Sequence, residues 1–181
     1  HVHKHFDLPI ANILHTSCPH YYRNAEAGES EEDFATRMAD DLEKLILDEG
    51  PETVAAFIAE PIMGAGGVLT PPKTYFAKIQ AVLKKYDVLF IADEVITGFG
   101  RLGSSFASEY FGVTPDMFTM AKGLTSGYVP MGAVAASNDI YQAFMDGSPE
   151  GIELFHGYTY SAHPLACAAA VATLQVYEEE G

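Results

Sequence analysis

The chain has 181 residues, 48% of them hydrophobic, which is enough for one sizeable core. Ten Lys and Arg stand against 25 Asp and Glu, and the formal charge of −15 argues against nucleic acid and anionic membranes as partners. No run reaches the roughly 18–20 apolar residues of a membrane span, and neither Cys18 nor Cys167 belongs to a CxxC pair, so zinc fingers and disulfide frameworks get no support and a reducing, cytoplasmic setting is expected.

Residues 1–6 hold His1, His3 and His5, which are read as incidental to a frayed end rather than as a metal site. The chain opens without Met and stops at VYEEEG, so both ends are expected to be cuts in a longer protein. Residues 7–28 read as an irregular polar segment. Ser30 and Asp33 then form a capping-box-like pair, followed by Phe34, Met38, Leu42, Leu45 and Ile46 at helical spacing. Gly50–Pro51 ends that helix. The acidic residues of 26–52, like those of 178–180, are expected on solvated helix faces.

TVAAFIAE (53–60) reads as a buried strand and PIMGAGGVLTPP as a glycine-rich loop. Residues 74–85 form an amphipathic helix, and DVLFIADE (87–94) a second buried strand. VITGFGRLGSS is a loop, SSFASEYFG a short helix, PDMFTMAK (115–122) a third strand and MGAVAAS (131–137) a fourth. Residues 138–145 look helical, and HPLACAAAVATLQVYEEE is a helix of small residues that should pack closely. Strands alternating with helices predict an α/β fold, a mostly parallel sheet flanked by helices and covered on both faces.

In such sheets ligands bind beyond the carboxyl ends of the strands. Glu60, Asp93 and Lys122 each fall at such an end. A Walker loop, GxxxxGK[ST], is missing, and so is a GxGxxG turn after a strand, which removes nucleoside triphosphates and dinucleotides. A buried lysine is a nucleophile suited to a Schiff base, and a carboxylate can hold the ring nitrogen of pyridoxal phosphate. Spacing alone leaves two readings open, a cofactor site or a structural salt bridge.

Four blocks carry a resemblance: AAFIAEPIMGAGGVLTPPKTYF, LFIADEVITGFGRLGSSFA, PDMFTMAKGLTSGYVPMGAV and HGYTYSAHPLACAAA. In this order and spacing the chain resembles the class III pyridoxal-phosphate-dependent aminotransferases of fold type I, and within them the omega-amino acid or amine:pyruvate branch. The resemblance implies that Lys122 binds the cofactor covalently and moves the substrate proton. It implies that Asp93 pairs with the pyridine nitrogen, that Val95 packs on a ring face, and that Thr159 reaches the cofactor phosphate of a neighbouring subunit. Glu60 would stand near the substrate entrance, and Arg101 would pack its loop. Ile96 replaces a glutamine found in some members, which points away from ornithine- and 4-aminobutyrate-type enzymes.

The implied protein is a homodimer with shared sites. It would move an amino group from an omega-amino acid or amine to pyruvate or a similar oxo acid through pyridoxal 5′-phosphate. Residues 1–181 would be an incomplete large, cofactor-binding domain, without the N-terminal phosphate cup and the C-terminal small domain. The alternatives are an aminomutase or decarboxylase on the same scaffold, a Schiff-base lysine enzyme without cofactor, or an inactive fragment.

Overall fold

A computed structural model describes residues 5–6, 8, 10–147 and 151–180. His1 and His3 lie outside the described residues. The short α1 (Tyr21–Asn24) precedes α2 (Glu31–Glu49). Ser30 caps α2: its backbone is extended, and its hydroxyl accepts from the Asp33 amide at 3.1 Å while donating to the Asp33 carboxylate at 2.7 Å. Glu31, Glu32 and Asp33 place negative charge at the positive end of the helix dipole. Gly50, at φ +91°, ends it.

β1 (Ala56–Ala59) leads through the 61–74 loop to α3 (Tyr75–Lys85), which returns to β2 (Leu89–Asp93). α4 (Ala107–Phe111) precedes β3 (Met117–Met120), and a loop of twelve residues, 121–132, leads to β4 (Ala133–Ala136). α5 (Asn138–Met145) and α6 (Pro164–Glu180) complete the chain. The sheet order is β1-β2-β3-β4, with the first two pairings parallel and the last antiparallel. This is the expected α/β architecture, a mostly parallel sheet with helices against it.

The strands are shorter at both ends than their apolar runs. Pro51–Thr53 forms a 3₁₀ turn, and Asp87 turns the chain with φ +54° before β2. β3 stops at Met120, so Lys122 lies two residues beyond the sheet instead of ending a strand.

The core occupies one face of the sheet. Phe34, Met38, Leu42 and Ile46 of α2 meet Tyr75, Phe76, Ile79 and Leu83 of α3 over Phe90 and Ala92 of β2. Phe76 stacks on Phe90 with ring centres 6.0 Å apart. Burying each of the large aliphatic and phenylalanine side chains among these contributes about 1.5–3 kcal/mol. The opposite face is more open than the apolar runs suggest, since Ile58 of β1 and Val134 of β4 are 59% and 65% exposed. Strand alternation sends Ile58 and Phe57 to opposite sides, and only the Phe57 side meets the α2–α3 core.

The acidic face of α2 is only partly solvated. Glu32 pairs with Lys78 at 2.6 Å and Glu43 with Lys85 at 2.5 Å, joining α2 to α3. Thr74 and Tyr86 donate further hydrogen bonds to the same two carboxylates. No described helix is long and apolar enough to cross a membrane.

Candidate active site

The site is built where β2 and β3 end side by side. Asp93 is the last residue of β2, half-buried, and its register partner on β3 is Thr119. The Thr119 hydroxyl donates to Asp93 Oδ1 at 3.0 Å, and the Val95 amide donates to the same oxygen at 3.1 Å. Oδ2 carries no hydrogen bond among the described residues. Asp93 and Val95 are thus brought together, with Val95 half-buried.

The neighbouring carboxylate does something else. Glu94 is fully buried. It accepts from the Thr97 hydroxyl at 2.5 Å and from the amides of Ala107 and Ser108 at 3.1 and 2.8 Å. Those amides open α4, so Glu94 satisfies helix-end donors and anchors the 97–106 loop. Consecutive strand residues face opposite ways, and that alternation is the signal separating an open-side Asp from a core-side Glu.

Lys122 opens a 3₁₀ turn, Lys122–Thr125, with φ +44°. A left-handed lysine carries backbone strain that the surroundings must hold. Leu124 and Thr125 are buried beneath it. The Thr125 hydroxyl donates to Val129 O at 2.6 Å, the Gly127 amide donates to Lys122 O at 3.0 Å, and α6 packs against the turn. Gly127 stands at φ +75°, and a Cβ on Gly123 would come within 2.8 Å of Phe99 Cβ, so both glycines serve the compact turn. The Lys122 side chain itself is exposed. This corrects the expectation of a buried amine: the turn buries its own root residues and aims the lysine outward.

Glu60 follows β1 and is half-buried. Its Oε2 accepts from the Gly64 amide at 2.9 Å, closing the glycine-rich loop, and no arginine pairs with it among the described residues. Arg101 is exposed, and its loop is packed instead by Phe99 and Phe106, ring centres 5.5 Å apart. Thr159 lies in an exposed loop, away from Asp93 and Lys122 in the chain. An open cavity of about 420 Å³ lies between residues 129–132 and 158–166, and neither Asp93 nor Lys122 lines it. Thr119 is the site residue that residue type alone does not reveal. Aligning the carboxyl ends of the two strand runs places it beside Asp93.

A family model described as Aminotransferase class-III matches residues 2–181. Gamma-aminobutyrate transaminase 1, mitochondrial, of Oryza sativa subsp. indica is 58% identical over 178 residues, covering 98% of this chain and 34% of the relative. Gamma aminobutyrate transaminase 2 of Solanum lycopersicum is 56% identical over 179 residues, covering 99% and 39%. Among solved structures, one from the directed evolution of transaminases by ancestral reconstruction superposes with a TM-score of 0.93 at 55% identity, covering 98% of this chain and 39% of that one. The omega transaminase from Pseudomonas jessenii in complex with PMP gives 0.89 at 52%, covering 97% and 39%. The chain therefore spans between a third and two fifths of the length of these relatives. On the family match and on identities above one half, this chain belongs to the class-III aminotransferases.

Proposed function

We propose that the complete protein carrying this chain is a transaminase that uses pyridoxal 5′-phosphate. It moves an amino group from an omega-amino acid or amine to pyruvate or a similar oxo acid. The observation that carries this reading is the pinned Asp93 carboxylate, one oxygen held by Thr119 and Val95 and the other without a hydrogen bond among the described residues, with the hydrogen-bonded turn that carries Lys122 following β3, the strand of Thr119. The donor set fits the cofactor. An exposed amine suits its aldehyde carbon, an open carboxylate oxygen suits its ring N–H, and the exposed Thr159 hydroxyl suits a phosphate brought by a second subunit. A homodimer with shared sites follows from the same Thr159 assignment.

When bound, pyridoxal 5′-phosphate supplies an aldehyde that captures amines and a protonated ring that withdraws electrons from the substrate carbon. Asp93 Oδ2 would accept the ring N–H and keep its proton in place. Val95, two residues after Asp93 and donating its amide to that carboxylate, would pack on a ring face. Lys122 Nζ would be the nucleophile that holds the cofactor, and as a free amine it would serve as the base for the proton on the substrate carbon bearing the nitrogen. Glu60 borders the substrate entrance at the end of β1.

Several relatives at 56–60% identity bear gamma-aminobutyrate transaminase names, which supports a donor with its amine distant from its carboxylate and outweighs the Ile96 argument. Both cysteines are free, which supports a reducing compartment such as the cytoplasm, although names among the relatives include mitochondrial and chloroplastic ones.

Borohydride reduction of the complete protein with pyridoxal 5′-phosphate, followed by peptide mass mapping, tests the assignment. A pyridoxyl label on Lys122 is expected. Label on another lysine, no label, or normal turnover by Lys122→Ala would sink it.

A further inference from the structure

We infer that Thr119 is the positioning residue that aims Asp93 at the ring nitrogen of the cofactor. This rests on the reading of Asp93 as the partner of that nitrogen. A carboxylate on a single bond rotates broadly about χ2, and its two oxygens are interchangeable. Here they are made unequal. Oδ1 accepts twice, from the Val95 amide and the Thr119 hydroxyl, and Oδ2 does not. Any residue at position 95 supplies the amide, because it is backbone. The hydroxyl is the sole side-chain donor to Asp93 among the described residues.

Thr119 is suited to this by its place and its shape. It is the register partner of Asp93, so both side chains leave the sheet on the same side. Its branched Cβ restricts χ1 and fixes the direction of the hydroxyl. The strand does not need that hydroxyl, since valine has the same shape and a higher preference for sheets. The Thr119 Oγ1 bond goes to Asp93 and to nothing else described. Two donors from different segments, the loop after β2 and strand β3, restrain the carboxylate more than the amide alone would. The ligand thus selected is a protonated aromatic nitrogen arriving on the Oδ2 side.

Equilibrium binding of pyridoxal 5′-phosphate to the complete protein tests this, together with circular dichroism of the bound cofactor and melting of the cofactor-free form. Thr119→Val should bind about tenfold more weakly, the scale of one hydrogen bond to a charged group, with a reduced cofactor dichroism band. Its cofactor-free melting should match the parent. Thr119→Ser, which keeps the hydroxyl, should bind within about twofold of the parent. Parent-like binding by Thr119→Val would overturn the inference, as would equal weakening in Thr119→Ser, which would assign the effect to the methyl group. If Thr119→Val does not fold, Thr119→Ser against Thr119→Ala asks the same question at similar volume, and equal binding by that pair overturns it. A parent that takes no label on Lys122 removes the cofactor reading and this inference together. A labelled parent with an indifferent Thr119 removes only the latter.

Discussion

α2 and α6 are the two longest helices, and they use their apolar residues in opposite ways. α2 hides one stripe, Phe34, Ala35, Met38, Ala39, Leu42 and Ile46, and its carboxylates reach across to lysines of α3. In the seventeen residues of α6 only Ala166 and Ala170 are buried, while Leu165, Val171, Leu174, Val176 and Tyr177 are exposed. Helix propensity explains α6, with its run of alanines, and packing explains α2. The contrast extends to what each helix supports. α2 and α3 close a core over one sheet face, whereas α6 leans on the turn that presents Lys122. The core and the candidate site are therefore housed in different parts of the chain.

The largest expected effect breaks that division at its chemical end. Lys122→Ala in the complete protein should lower amino transfer to pyruvate by about a thousandfold or more, as removal of a nucleophile and base requires. Its cofactor-free melting should change little, because the Lys122 side chain is exposed and its root is held by Leu124 and Thr125. A variant that lost activity only in proportion to unfolded protein would contradict this. At the other end, Phe76→Ala removes a ring 2% exposed between Phe90, Phe111 and Tyr75. It should cost about 3–5 kcal/mol in denaturant unfolding. Leu165→Ala, on the 64% exposed side of α6, should stay within about 0.5 kcal/mol. Similar costs for the two would erase the contrast.

How far the sequence spoke follows the same line. The α2 stripe, its Ser30 cap and its Gly50 stop were all legible, because amphipathy and capping are local signals. The four strands were legible as apolar runs, but their ends were not. Asp87 before β2 and Lys122 after β3 hold left-handed backbone that residue type does not announce. Asp93 and Lys122 were legible as candidates for chemistry, whereas the exposure of Lys122 was not. Thr119 became visible only through register, because its role depends on which residue of β2 lies beside it. The antiparallel pairing of β4 is likewise a property of the path taken by residues 121–132, which no apolar run encodes.

Glu94 sharpens the comparison at the boundary between the two regions. It sits one residue from Asp93 yet faces the core side, with both oxygens accepting: Oε1 from the Ser108 amide, Oε2 from Thr97 and the Ala107 amide. Glu94→Gln keeps the shape but turns one acceptor into a donor facing another donor. A buried mismatch of that kind costs about 1–3 kcal/mol. Unfolding should register that loss, while borohydride label on Lys122 persists. Loss of label with unchanged stability would place Glu94 in the chemistry instead of beneath it.

The smallest effect concerns how the stable region is fastened, and it is read from pH. Ion pairs joining carboxylates to lysine or arginine all fall within residues 26–85 among the described residues. Of these carboxylates Glu29 is displaced furthest. Hydrogen bonds from Arg37, at 2.7 Å to each oxygen, are the main cause that lowers it from 4.5 to about 2. Desolvation opposes this as the next largest effect, and the Glu26 amide and the Arg37 charge add smaller contributions in the lowering direction. A carboxyl group lowered on folding contributes stability above its unfolded value and loses that contribution as pH falls toward the folded one. The stability linked to Glu29 is thus complete above about pH 4.5 and gone near pH 2. Arg37 also donates to Asn24 O at 3.0 Å and lies 5.1 Å from the centre of the Phe34 ring. Arg37→Gln will therefore lower stability by an offset that does not depend on pH. The informative quantity is what remains after subtracting it. The gap between parent and Arg37→Gln should be widest at pH 6 and shrink to that offset between pH 4.5 and 2. A gap of constant width would mean that Arg37 fastens α1 and α2 through Asn24 and Phe34 alone, and that its pair with Glu29 adds nothing to the fold.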